Sequence, residues 1–174
     1  MKLKTTEKGL TLVELLVALS IAAFVTAAAS MTIITMMRLT PKTNNWAIAL
    51  RQVQNAGYWI SRDVLMADNI TVGDTGNPMF LTLRQPQIDT SLKNKIEYKF
   101  EPMSGGLKRL VRTDTDNNTA IMIAEYISSD NTTATYSPNC TDNCTLTFTI
   151  TAISGNVPVT RQYEVTQRVP ASSP

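Results

Sequence analysis

Apolar and small residues run from Leu10 to Met37 with Glu14 as the only charged side chain among them. About 20 such residues cross a bilayer, and these 28 would form a helix of about 42 Å at 1.5 Å per residue. The pattern predicts a membrane-spanning helix that continues beyond the ~30 Å hydrocarbon core. Pro41 then breaks the pattern, and Asn44-Asn45 offer caps for a second helix starting near Trp46. Along that helix Trp46, Leu50, Val53, Gly57, Ile60, Val64 and Ala67 recur at spacings of 4 and 3, the signature of one helical face. Arg51, Gln52, Asn55, Arg62 and Asp63 lie off the stripe. The stripe is expected to pack on the protein's own sheet, with Trp46 and Tyr58 near its edges.

Beyond Asn69 the period changes from about 3.6 to 2. Short β-type runs are separated by Gly, Pro, Asn and Asp: 79–84, 95–100, 107–112, 121–127, 145–151 and 159–166. Ile96, Tyr98 and Phe100 alternate with polar residues, as do Leu146, Phe148 and Ile150, and Gly105-Gly106 reads as a hairpin turn. About a hundred residues suffice for one small domain. The expected fold class is α+β: a long N-terminal helix, part membrane-spanning (10–40) and part amphipathic (41–70), packed on a small antiparallel β-sheet domain (71–169). Residues 170–174 read as a disordered tail.

Charge sets the orientation. Lys2, Lys4 and Lys8 precede the apolar run against a single Glu7, which keeps the N-terminus cytoplasmic and exports the remainder. Without residues 1–9 the chain holds 13 basic and 13 acidic side chains, so the formal +2 belongs to the leader. A neutral exported chain argues against nucleic acid as a partner, because non-specific affinity comes from Lys and Arg on phosphates. Lys108, Arg109 and Arg112 form a local basic patch, read as the solvated face of a strand. Glu14 is the exception that needs a partner, since a charge at membrane depth costs about 2.5–3.5 kcal/mol on insertion scales. A cut between Gly9 and Leu10 would place a new α-amino group at about the depth of Glu14, and a neighbouring subunit's amine could meet the carboxylate equally well.

The run Gly9-Leu10-Thr11-Leu12-Val13-Glu14-Leu15-Leu16-Val17-Ala18-Leu19 resembles the class III signal of type IV prepilins and type II secretion pseudopilins. The resemblance implies removal of the 1–9 leader after Gly9, N-methylation of Leu10, and pairing of Glu14 with a neighbour's amine in a filament. Leu10 departs from the usual Phe after the cut. Implied partners are a prepilin peptidase, an assembly platform in the inner membrane, other pilin or pseudopilin subunits and the lipid bilayer. The implied location is the cytoplasmic membrane as a single-pass protein with an extracytoplasmic C-terminal domain, then a pilus or pseudopilus. Arg62-Asp63 before a small residue, with Ile96 to Phe100 and Gly106 to Arg112, further resembles J-type minor pseudopilins and PilW-like minor pilins, which implies a place at the filament tip. Two plainer readings compete: a single-pass anchor whose Glu14 snorkels, and an ordinary secretory signal cut near Ala27–Ser30.

Remaining chemistry is sparse. Cys140 and Cys144 flank Thr141-Asp142-Asn143, and in an oxidising compartment they are expected to form a disulfide that clamps a hairpin. With no His in the chain, two thiols supply half of a zinc site, so no metal is expected there. Asp114 and Asp116 are calcium candidates in a D-x-D-x-N run, which lacks the Gly and the twelfth-position Glu of an EF-hand; a polar hairpin turn is the alternative. No Gly-x-Ser-x-Gly elbow and no phosphate-cradling loop occur, so the expectation is a protein that is not an enzyme and carries no cofactor. Two functional classes remain: a structural filament subunit, or a membrane-anchored binding module, adhesin or DNA-uptake receptor, delivered by the same signal.

Overall fold

The computed structural model describes residues 11–73, 79–86, 93–137 and 144–168. Helix α1 spans Leu12–Met66. Eight strands follow: β1 (Asn69–Val72), β2 (Met79–Pro86), β3 (Lys93–Pro102), β4 (Lys108–Asp114), β5 (Thr119–Ile127), β6 (Thr133–Tyr136), β7 (Thr145–Ser154) and β8 (Val157–Thr166). This is the α+β arrangement that the change of period predicts. The chain forms two compact units, 1–43 and 44–174.

In the first unit the side chains of α1 are exposed on every face, and α1 is the one described helix long and apolar enough to cross a membrane. Its hydroxyls do not interrupt it. Ser20, Thr26, Ser30, Thr32 and Thr35 each donate to the carbonyl four residues back, so no hydroxyl proton needs an outside acceptor.

Of the kink or short break expected at Pro41, the break does not occur: the proline lies inside α1. Proline removes the N–H that would serve the carbonyl four residues earlier and crowds it. Thr40 and Thr43, on either side, donate to the carbonyls of Met36 and Leu39 and hold the flanking turns in helical form.

In the second unit α1 buries Ala49, Val53, Ala56, Gly57, Ile60 and Val64. All of these but Gly57 meet Leu81, Leu83, Ile96, Tyr98, Leu110, Phe148 and Ile150 in one core. The stripe is thus the predicted one shifted toward smaller residues, and Trp46 falls outside it, 48% exposed. A Cβ at Gly57 would run into the ring of Tyr163, which stacks on Phe148, so any side chain there would force that ring to move.

All pairings are antiparallel, in the order β1-β2-β3-β4-β5-β7-β6, with β8 along the other side of β7. The six predicted strands appear, each lengthened at one or both ends; β1 and β6 were not predicted. Both are four-residue strands whose partners, β2 and β7, supply the apolar surface. The predicted Gly105-Gly106 turn joins β3 to β4, with φ of 78° at both glycines, a region glycine enters without a Cβ penalty. β5 is irregular: its register against β4 shifts twice, and Tyr126 has φ of 60°. It meets β7 at a single bridge, Ile127 to Ala152. In the space that opens, α1 substitutes for a strand: Asn55 Nδ2 donates to the Ile123 carbonyl at 2.5 Å and Gln52 Oε1 accepts from the Glu125 amide at 2.9 Å.

Candidate processing and assembly site

Gly9 and Leu10 lie outside the described residues, so the site begins at Thr11. There the chain closes a capping box. The Thr11 amide and Oγ1 both donate to Glu14 Oε2 at 3.0 Å, and the Glu14 amide donates back to Thr11 Oγ1 at 3.3 Å. Two donors that a helix start leaves unpaired are satisfied reciprocally, and the carboxylate stands at the end of the helix where the macrodipole favours negative charge. The sequence carries this signal in Thr-x-x-Glu ahead of an apolar run. The Thr11 donors are neutral, so they orient the Glu14 carboxylate without cancelling its charge.

The second cluster of charge is where the sequence stripe fails. Asp63, off the predicted apolar face, is 4% exposed. Arg112 Nε donates to its Oδ2 at 2.6 Å and Arg112 Nη2 to its Oδ1 at 3.3 Å, a two-pronged pair that the planar guanidinium suits. Tyr98 Oη also donates to Oδ2, at 2.6 Å. Burial pushes the Tyr98 hydroxyl well above its usual pKa, and the Asp63 charge pushes it further. Burial alone would lower the Arg112 pKa, but the Asp63 carboxylate outweighs it and raises the value. The guanidiniums of Arg112 and Arg62 each lie 5.4 Å from the centre of the Trp59 ring. Asp63, Tyr98 and Arg112 belong to three separate stretches of sequence, and folding joins them into one node that ties α1 to β3 and β4. The node is structural chemistry: every oxygen of Asp63 is occupied by a protein donor.

The calcium candidates stand in the β4–β5 turn. Asp114 accepts from the Asn117 amide at 3.3 Å, from Asn117 Nδ2 at 2.9 Å and from Asn94 Nδ2 at 3.4 Å. Burial raises the Asp114 pKa, and these bonds, Asn117 first, more than offset it and leave it lowered. The carboxylate is thus spent on hairpin geometry, and no group of three or more His, Cys, Asp or Glu residues able to hold a metal occurs among the described residues. Cys144 is buried beside the start of β7, and no described cysteine is a free thiol; Cys140 lies outside the described residues.

No curated protein and no solved structure matches the chain significantly. The Thr11–Glu14 cap, the first turns of the apolar helix it opens, and Lys4 and Lys8 before it fall instead in one matched segment: residues 4–30 match the prokaryotic N-terminal methylation motif.

Proposed function

We propose that the protein is a minor pilin or pseudopilin: a structural subunit cut by a prepilin peptidase between Gly9 and Leu10, methylated at Leu10, and built into a type IV pilus or type II secretion pseudopilus, at or near its tip. The observation that carries this reading is the methylation motif over residues 4–30, with Glu14 inside it at the start of a helix able to cross a membrane. Thr11 holds the carboxylate through Oε2 and presents it at the helix end. A neighbour's α-amino group arriving there completes the neutralisation that a bilayer demands. The tip position rests on the resemblance of Arg62-Asp63, Tyr98 and Arg112 to J-type and PilW-like subunits.

The chain lies in the cytoplasmic membrane with its N-terminus inside and the 44–174 unit outside. A Cys140–Cys144 disulfide in that compartment clamps the entry to β7, in keeping with a buried Cys144 that is not a free thiol. Partners are the peptidase, the assembly platform and other subunits; no catalytic step is assigned to the chain.

Intact mass and N-terminal peptide mapping from cells with a prepilin peptidase test the reading. A chain starting at Leu10, with a methyl group added, is expected. A chain starting at Met1, or after the Ala27–Ser30 region, overturns it. Glu14→Ala separates assembly from mere anchoring: a filament subunit stays in the membrane but fails to enter filaments, whereas an anchored adhesin or DNA-uptake receptor keeps both its location and its binding.

A further inference from the structure

The outer end of the apolar helix carries two cations with no acid near them along the chain. From Leu15 to Arg62 the sequence holds no Asp or Glu, and the first charges after the apolar run are Arg38 and Lys42. Both are exposed on α1, and neither belongs to an ion pair among the described residues. Placed at i and i+4, they are neighbours on one flank of the helix. The exposed apolar side chains of Met31, Ile33, Ile34, Met36 and Met37 lead directly into the pair.

Pro41, between them, marks the same level. Proline brings no N–H to the Met37 carbonyl, and a backbone acceptor deprived of its helical donor belongs in the polar layer of a membrane, not in its hydrocarbon. Length agrees. At 1.5 Å per residue, Arg38 stands about 36 Å and Lys42 about 42 Å along the axis from Glu14. The usual tilt of about 20° shortens these to about 34 and 39 Å across the membrane. With Glu14 at the inner edge of a ~30 Å hydrocarbon core, Arg38 lies in the outer headgroup layer. Lys42 lies just beyond, and its flexible stem reaches back to the same layer.

We propose that Arg38 and Lys42 bind the phosphate groups of phospholipids in the outer leaflet of the cytoplasmic membrane, with a preference for anionic lipids. The guanidinium of Arg38 suits a phosphate through two parallel N–H donors, and Lys42 adds a second charge one turn further out. The surface that the two cations continue is the lipid-facing one, which assigns them to lipid before any protein partner. This grip fixes the depth at which the subunit rests, and with it the height of Glu14, where a neighbour's amine has to arrive. The inference rests on the reading of the chain as a membrane-inserted subunit with 44–174 outside.

The full chain is reconstituted in vesicles of equimolar phosphatidylglycerol and phosphatidylcholine, floated on a density gradient and released in mild detergent, and its retained lipids are counted by native mass spectrometry. Phosphatidylglycerol is expected to exceed phosphatidylcholine at least about fivefold, part of what two cations gain at an anionic surface. Arg38→Gln/Lys42→Gln should cut that ratio at least about threefold. Arg51→Gln/Arg161→Gln removes the same charge from exposed positions beyond residue 43 and should leave the ratio unchanged. The leader lysines are common to every sample, so the comparison isolates the pair. A ratio near unity for the unaltered chain, or an equal fall in the two variants, overturns the proposal and leaves the pair to an acidic protein surface. Displacement of the lipid by excess inorganic phosphate also overturns it, in favour of a free anion. Flotation keeps the two readings apart. A chain that floats without preferring phosphatidylglycerol refutes the phosphate site alone, and a chain that does not float refutes the membrane reading and the site with it.

Discussion

Replacing Arg112 with Met tests whether the Asp63 node holds α1 on the sheet. The side chains of Asp63 and Arg112 are 5% and 13% exposed, so the pair is nearly out of water. Arg112→Met keeps the apolar stem and removes the guanidinium, leaving the Asp63 carboxylate buried with Tyr98 as its one side-chain donor. Breaking a buried pair from one side costs about 3–5 kcal/mol, and loss of the stacking on Trp59 adds about 0.5–2 kcal/mol. At about 2–4 °C per kcal/mol for a chain of this size, the melting temperature should fall by roughly 7–28 °C. Removing every member together should be far milder. In Asp63→Leu/Tyr98→Phe/Arg112→Met no orphaned charge or hydroxyl remains, and apolar replacement of a buried pair is often neutral or stabilising. Urea unfolding of the full chain in detergent micelles, followed by tryptophan emission and circular dichroism, measures both. A loss below about 1 kcal/mol for Arg112→Met, or a triple variant as costly as the sum of its single changes, would refute the argument that desolvation dominates here.

Three more outcomes follow from particular contacts. Lys95 first, and Lys99 with it, hold Glu97 below the ordinary carboxylate range. Its stabilising share is present above the usual glutamate pKa and is lost as pH falls through the lowered folded value, so Glu97→Gln should lower stability at neutral pH, leave it little changed in strong acid, and so flatten the acid limb of a stability–pH profile; an unaltered limb refutes this. Gly57→Ala should cost about 1–3 kcal/mol, because the new methyl meets the Tyr163 ring held by Phe148, and the loss should reverse in a Tyr163→Ala background where helix propensity favours alanine. Gln52→Ala should speed hydrogen exchange at the Glu125 amide by about fivefold without disturbing β7, matching the ~1 kcal/mol that such a bond contributes; equal protection would show that another group serves that amide.

The functional reading was legible largely in one segment. Glu14 within an apolar run and the leader before it needed no tertiary information, since the cost of a charge in hydrocarbon and the bias of lysines toward the cytoplasm depend on composition along a line. The Thr11–Glu14 cap was equally readable, because its partners are three residues apart. The change from helical to alternating period located α1 and six strands for the same reason: each depends on neighbours within a few positions. Cys140, Gly9 and Leu10 keep the standing the sequence gives them, since they lie outside the described residues.

What the sequence by itself determined, then, is the order of elements, the apolar character of the first unit and the chemistry at its N-terminus. Tertiary structure alone decided that Asp63 is buried, that Tyr98 and Arg112 are its partners, and that Gln52 and Asn55 stand in for a strand. A polar residue off an apolar stripe reads as solvated until its counter-charge arrives from a strand 49 residues away. The free energy that sets Asp63 against the sheet depends on desolvation and on the meeting of groups distant in the chain, and no local period encodes either.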